Sequence, residues 1–244
     1  MPTMNDFPKI AVLIPAYNEQ KTIKHIVNRC LSYTSHVMVI DDGSSDATLS
    51  IVKNTNAEVF SNTMNMGKGA TLLKGFQLAI ERGYDGVIAL DADGQHNPDD
   101  LPRFLSVVQQ TPTGLIIGAR RINVKNAPRV RLLANKMADF FISLAARKRL
   151  FDTQSGYRYY PGQFLQKYLA NPLKSNRFAF EAEILISAVS EKLPIHYVDI
   201  QSCYPTNARA SHYRSGKDTW QIAKAITKLI FQKRGSHGNI KGDF

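Results

Sequence analysis

Residues 86–96 read Gly86-Val87-Ile88-Ala89-Leu90-Asp91-Ala92-Asp93-Gly94-Gln95-His96. A short apolar run stops at a carboxylate, so a buried strand delivers Asp91 at its end. Asn97-Pro98-Asp99-Asp100 then starts a helix: Asn97 caps it, Pro98 suits the first turn, and the acids face the helix dipole. The same pattern recurs on both sides. Lys9–Pro15 and His36–Ile40 are buried-strand runs, Glu58–Phe60 is a shorter one, and Leu115–Gly118 follows downstream. Helical spacing separates them: Glu19–Leu31, a helix from about Asp46, and Gly67–Arg82, where Leu72, Leu73, Phe76 and Ile80 share a stripe. The alternation predicts an α/β fold, a mainly parallel central sheet flanked by helices. In such sheets ligands bind beyond the carboxyl ends of the strands, which is where the acids cluster.

The second half is less regular. Val130–Ala146 reads as a helix with a broad apolar face of Leu132, Leu133, Met137, Phe140, Phe141 and Leu144. Asp152–Tyr160 reads as extended or loop, Phe180–Leu193 as a helix, and Ile195–Tyr204 as a late or edge strand. Asp218–Lys233 reads as a closing helix, and residues 235–244 as a frayed tail.

Composition sets the bounds. The 244 residues are 43% hydrophobic and 21% charged, a globular balance long enough for a full core. Cys30 and Cys203 cannot make a disulfide framework, and no CxxC pair is present for zinc. Met1–Pro8 lacks a signal pattern, and no run of about 18 apolar residues would span a bilayer. A soluble protein in a reducing compartment is expected. The net charge is +11, and it is concentrated. Residues 120–150 hold nine Lys/Arg and one acid, and residues 201–244 hold eight and two. The remainder is slightly acidic. Two cationic segments on an acidic body suggest an anionic partner: a phosphorylated substrate, a phospholipid surface or nucleic acid.

Four turns carry candidate chemistry. Asp91 and Asp93 are two residues apart on an extended turn. They can share a hard cation such as Mg²⁺ or Mn²⁺, with Gln95 as a neutral oxygen ligand and His96 as a possible nitrogen ligand. A helix cap explains Asp99 and Asp100 but not these two. Asp41-Asp42-Gly43-Ser44-Ser45-Asp46 ends the second strand, where a carboxylate can bind a base or ribose; Ser45 or Asp46 suffices to cap the next helix. Pro15-Ala16-Tyr17-Asn18-Glu19 ends the first strand. It is either a nucleotide-lining turn or a proline turn capped by Asn18. Asn65-Met66-Gly67-Lys68-Gly69 opens a helix and suits an anion, although it is no P-loop and reads equally as a glycine turn with a solvated lysine.

Together these turns resemble the family 2 glycosyltransferases of the GT-A fold, and within them the dolichol-phosphate mannosyltransferase-like branch that makes polyprenyl-phosphate sugars. The stretches that carry the likeness are residues 14–19, 39–46, 65–69, 91–96, Gly118-Ala119-Arg120 and Asp152-Thr153-Gln154-Ser155-Gly156-Tyr157-Arg158. They occur in the family's order over residues 9–160. Phe180-Glu181-Ala182-Glu183 and Ser211-His212-Tyr213-Arg214 add a weaker likeness. The resemblance implies one domain over residues 1–234: a nucleotide-sugar-binding half, 9–120, and an acceptor half, 121–234. Pro15, Tyr17, Glu19 and Asp42 would hold the nucleoside. Lys68 would lie near the nucleotide, and Asp91 would face the ribose, diphosphate or metal. Asp93 with Gln95 would ligate Mg²⁺ or Mn²⁺. Arg120 would contact a phosphate of donor or acceptor, and Ser155, Arg158 and Arg214 are the further acceptor-phosphate candidates. Such enzymes invert the anomeric centre. The SGYR and SHYR elements differ from the usual mannosyltransferase forms and leave the acceptor open.

Direct displacement at the anomeric carbon then needs a stabilised diphosphate leaving group. A lipid phosphate acceptor is already ionised and needs cations to hold it. A hydroxyl acceptor needs a carboxylate base, for which Glu181, then Glu183 and Asp152, are candidates, although acids at a helix start explain the glutamates equally. Cations near the 130–146 helix, and Trp220, Phe231 and Lys224 on the 218–233 helix, suit peripheral contact with the cytoplasmic leaflet; core packing explains the Ile/Leu stripes. Two other classes compete. A magnesium-dependent phosphohydrolase would use Asp91 as nucleophile, although that motif normally follows a first strand and continues with threonine. A nucleic-acid module would use the charge alone, against the repulsion of the acidic strand ends.

Overall fold

The computed structural model describes residues 7–122, 129–171 and 180–201. The expected helix at 218–233, Arg214 and the tail lie outside the described residues. Seven strands form one sheet: β1 (Ile10–Ala16), β2 (Val37–Asp41), β3 (Glu58–Ser61), β4 (Gly86–Ala89), β5 (Leu115–Ile122), β6 (Arg158–Pro161) and β7 (Ile195–Gln201). Their spatial order is β3-β2-β1-β4-β6-β5-β7. The β1/β2, β2/β3, β1/β4 and β5/β7 pairs are parallel, whereas β6 runs antiparallel between β4 and β5. The mainly parallel α/β expectation is met, and β7, read as an edge or late strand, stands at one end of the sheet among the described residues.

The helices are α1 (Ile23–Leu31), α2 (Thr48–Lys53), α3 (Lys68–Glu81), α4 (Leu101–Gln110), α5 (Arg129–Ala146), α6 (Gly162–Ala170) and α7 (Phe180–Ser190). Alternate residues of the central strands face opposite sides, as strand geometry requires. Val12, Ile14, Val37 and Val39 pack with Ile23, Ile26, Val27 and Phe104 on the α1/α2/α4 side. Leu13, Met38 and Ile40 pack with Leu72, Phe76, Phe164 and Ile184 on the α3/α6/α7 side. Both faces are covered, so the strands read as unbroken apolar runs rather than alternating ones.

Residues 152–160 are a turn that leads into β6 inside the sheet, within the extended-or-loop reading. Two features differ from the sequence reading. Helix α6 was not anticipated, because Pro161-Gly162 reads as a turn before a segment only nine residues long. The apolar face of α5 is also split. Ala134, Ala138 and Ile142 are buried, while Leu133 (62% exposed), Met137 (44%), Phe140 (64%) and Leu144 (58%) point outward. Small residues let α5 approach α7, where Ile142 packs with Ala182 and Ile186. The large residues are left on the opposite side.

Candidate active site

The strand order reverses between β1 and β4, since β1 leads outward to β2 and β3 while β4 leads the other way. Open α/β sheets bind ligands at such a switch point. The turns after β1 and β4 flank it, and one hydrogen bond joins them: Thr22 Oγ1 donates to the Ala92 carbonyl at 2.6 Å. Thr22 thereby holds the middle of the Asp91-Ala92-Asp93 turn. The turn is closed by Gly94 at φ 76° and by Gln95 N donating to Asp93 Oδ1 at 2.9 Å. Asp91, Asp93 and Gln95 are all partly exposed there. Asn97 accepts from Asp99 N at 3.0 Å, the expected cap.

The β1 and β2 turns are knitted together. Asn18, at φ 57°, ends the strand geometry. Its amide donates to Ser44 Oγ at 2.9 Å and its side chain accepts from Ser45 N at 2.8 Å. Asn18 therefore braces the neighbouring turn instead of capping α1, which begins four residues later than Glu19. Pro15, Tyr17 and Glu19 line this end of the sheet, each half-buried. Asp46 accepts from Thr48 N at 2.9 Å, but the cap position of α2 is Ala47, which makes no side-chain cap bond, so neither Ser45 nor Asp46 is the cap.

Asp42, expected on the nucleoside, is engaged elsewhere. It is buried, and its carboxylate accepts from Asn62 Nδ2, Met66 N and Gly67 N, each at 2.8 Å. Three donors on one carboxylate clamp the glycine turn, whose Gly67 has φ 89°. Asp42 thus sets the start of α3 and the position of Lys68. Its neighbour Asp41 accepts from Ser44 N and Ser61 Oγ on one oxygen, while Oδ1 has no hydrogen-bond partner among the described residues.

Lys68 lies at the centre of the site. Its ammonium is 2.7 Å from Asp91 Oδ1 and 2.6 Å from Glu181 Oε1, so the starts of α3 and α7 meet the end of β4. Its side chain is 41% exposed. Burial would lower its pKa, yet Asp91 and Glu181 together raise it above the ordinary lysine value. Burial likewise pushes Asp91 up, but the charge and hydrogen bond of Lys68, with His96 and Arg158, together outweigh it and leave Asp91 below the usual carboxylate range. His96 Nε2 lies 3.9 Å from Asp91 Oδ2. Burial lowers His96 to about 4, so its ring is neutral near pH 7.

Arg120 is held by Asp152. Its backbone amide donates to Asp152 Oδ2 at 2.7 Å, its Nε lies 2.9 Å from that oxygen, and its Nη2 also donates to the carboxylate. Burial would raise the Asp152 pKa, but the Arg120 hydrogen bonds and charge bring it below the usual range. The expectation that Arg158 meets a phosphate is not met. Its guanidinium is fully buried and donates to the carbonyls of Thr153 (2.6 Å) and Glu181 (3.1 Å). It is a strut between the 152–156 turn and α7. Ser155 is also buried, and its hydroxyl finds no partner among the described residues. Glu183, a candidate base, is buried on α7 away from solvent.

Asp91 and Asp93 with Gln95 form an all-oxygen donor set, which fits a hard divalent cation. Among the described residues no three His, Cys, Asp or Glu side chains cluster to hold an ion unaided. An ion here would complete its shell from phosphate oxygens and water, as Mg²⁺ commonly does.

Several site residues escaped the sequence reading. Thr22 looked like an ordinary helix residue. Gly156 was quoted only within a motif, yet a Cβ there would lie 2.2 Å from Asp91 Oδ2. Asp139 carried a visible signal, as the lone acid between residues 120 and 150.

A family model, glycosyl transferase family 2, matches residues 11–169, which span every turn described. The chain belongs to that family. This family 2 chain is 32% identical to a UDP-N-acetylglucosamine–dolichyl-phosphate N-acetylglucosaminyltransferase of Methanococcus voltae, over 93% of its own length and 96% of that protein's. It is 30% identical to a polyprenol monophosphomannose synthase of Mycolicibacterium smegmatis, over 81% and 78%. The crystal structure of glucosyl-3-phosphoglycerate synthase from Mycobacterium tuberculosis with Mn²⁺, UDP-glucose and phosphoglyceric acid superposes with a TM-score of 0.73. Its identity is 19%, over 92% of this chain and 80% of that one, which establishes the shared GT-A fold. The chain is a glycosyltransferase. The phosphohydrolase and nucleic-acid readings have no support from the family, and Asp91, expected to be a nucleophile in the first of them, is ion-paired after a fourth strand.

Proposed function

We propose that this enzyme transfers a sugar from a nucleoside diphosphate sugar to a polyprenyl phosphate, with inversion and with Mg²⁺ or Mn²⁺ bound at Asp91, Asp93 and Gln95. One observation carries the choice of acceptor. Each of the three candidate bases is engaged or enclosed among the described residues: Glu181 by Lys68, Asp152 by Arg120, and Glu183 in the protein interior. A hydroxyl acceptor needs such a base, whereas a phosphate acceptor arrives ionised. The two relatives' names, one a dolichyl-phosphate transferase and one a polyprenol monophosphomannose synthase, support the same acceptor class. They name different sugars, so donor and sugar are left to experiment.

The reaction breaks the bond between the anomeric carbon and the diphosphate oxygen. It forms a bond from that carbon to an acceptor phosphate oxygen, and no proton needs to move. When bound, the metal ion neutralises charge developing on the diphosphate. Lys68 adds a second positive charge near the leaving group, and Asp42 fixes its approach through the glycine turn. Arg120, oriented by Asp152, is the residue we place on the acceptor phosphate. Tyr17, Glu19 and Pro15 form the nucleoside end. The test is transfer of labelled sugar into an organic-extractable product, with polyprenyl phosphate and the unphosphorylated polyprenol compared. Product from the phosphate alone is expected. Product from the free alcohol at a similar rate would refute the acceptor reading.

The outer face of α5 supports contact with the cytoplasmic membrane surface. Leu133, Met137, Phe140 and Leu144 recur on one face, and Arg147, Lys148 and Arg149 follow at its end, with Phe151 beneath Arg149. An apolar stripe beside a cationic cluster is the pattern of an interfacial helix. No helix of the described residues is long and apolar enough to cross a membrane. Full burial of a phenylalanine is worth about 1.5–3 kcal/mol, so Phe140→Glu should weaken co-sedimentation with anionic vesicles at low salt about tenfold or more. The melting temperature should hold, because the residue is exposed. Undiminished vesicle binding would count against this face.

A further inference from the structure

Helix α5 has a charged residue on the side that faces the site. Asp139 accepts from Thr153 N at 2.7 Å and Thr153 Oγ1 at 2.6 Å on one oxygen, and from Asp152 N at 3.0 Å on the other. Asp152 needs such support: its φ is 47°, a left-handed conformation that a side chain disfavours. The far side of the turn is tied as well, since Arg158 holds the Thr153 carbonyl and Ser155 N donates to the Asp152 carbonyl at 3.0 Å. The only freedom left to the Asp152 carboxylate is therefore small, and it is spent on Arg120. A half-buried carboxylate at this position, in a segment otherwise cationic, has no capping role, because it lies mid-helix.

We propose that Asp139 is a positioning residue for Arg120: by fixing the backbone of Asp152 and Thr153 it sets the plane of the arginine, and it joins that arginine to α5 as one unit. This rests on the reading that Arg120 meets the acceptor phosphate. The consequence is directional. The helix that carries the exposed apolar face also carries the anchor of the phosphate-facing arginine, so the geometry for the phosphate is set by the same element that meets the lipid surface. Mere stabilisation of α5 would affect both substrates alike.

The test is steady-state kinetics of the full chain, with polyprenyl phosphate and nucleotide sugar varied in turn, for Asp139→Asn and Arg120→Lys. An asparagine keeps one acceptor but presents an NH₂ to either the Asp152 or the Thr153 amide. Asp139→Asn should raise the acceptor KM at least tenfold and leave the donor KM within about twofold. It should match Arg120→Lys in this split, and the double variant should be no worse than Arg120→Lys alone, as expected for coupled residues. Thr153→Val, which removes only the hydroxyl contact, should show a weaker form of the same split and serves if Asp139→Asn fails to fold. Suppose Arg120→Lys acts on the donor KM and Asp139→Asn follows it. The positioning role then stands, and the acceptor reading of Arg120 falls. The positioning role is overturned if Asp139→Asn, or Thr153→Val in its place, departs from the Arg120→Lys pattern. It is equally overturned if Arg120→Lys changes neither constant.

Discussion

Replacing Gly156 with alanine is expected to lower kcat/KM at least a hundredfold while leaving a folded protein. The added methyl would sit 2.2 Å from Asp91 Oδ2 and 2.7 Å from its Cγ. Gly156 is not among the residues at positive φ, so alanine meets no left-handed strain there, and the expected effect is the steric one. The carboxylate has to move, and with it the 2.7 Å contact to Lys68 and the geometry offered to a cation. A displacement of about 1 Å at a reacting centre can cost a hundredfold in rate. The loss of one ion pair in a partly open site should shift the melting temperature by only a few degrees. Kinetics and a melt of the same sample separate the two effects. Activity within about threefold of the parent would mean that the position of Asp91 is not what the site depends on.

The parallel half of the sheet was legible because its strands are buried on both faces. Ile10–Ala16 and Gly86–Ala89, and Val37–Asp41 up to its final carboxylate, are unbroken apolar runs that stop at polar turns, so their limits fall within a residue or two of the reading. The acids at those turns could be found for the same reason. What they do there was less legible. Asp42 reads like a ligand-binding carboxylate, yet it is consumed by two amides and an asparagine that come from loop residues 62–67. Periodicity carries no information about that loop's path. Arg158 reads as a phosphate contact within a basic motif. In the fold it enters β6, an antiparallel strand squeezed between β4 and β5, and its side chain is directed inward to carbonyls. Unlike the equally short β4, the β6 segment Arg158–Pro161 has no aliphatic run to mark a buried strand. The outward side of α5 was visible as apolar, but its direction depended on which residues are small enough to approach α7.

Asp93 carries the second large effect. As proposed, it is a carboxylate ligand on the metal-binding turn, so its removal takes away a ligand of the cation. Asp93→Ala should reduce transfer about a thousandfold, in line with the loss of a group that stabilises developing charge. A titration of thermal stability reads the same site without needing the acceptor. The native protein and Asp93→Ala would be melted with UDP, GDP and their sugar conjugates, each with and without Mn²⁺. A ligand at about 100 times its Kd stabilises a protein by roughly 2.7 kcal/mol, or about 5–10 °C for a chain of this size. A shift of that order is predicted for one nucleotide, dependent on Mn²⁺ and absent in Asp93→Ala. A shift of equal size in Asp93→Ala, or none with any nucleotide in a well-folded sample, would contradict a metal-dependent nucleotide site at these strand ends.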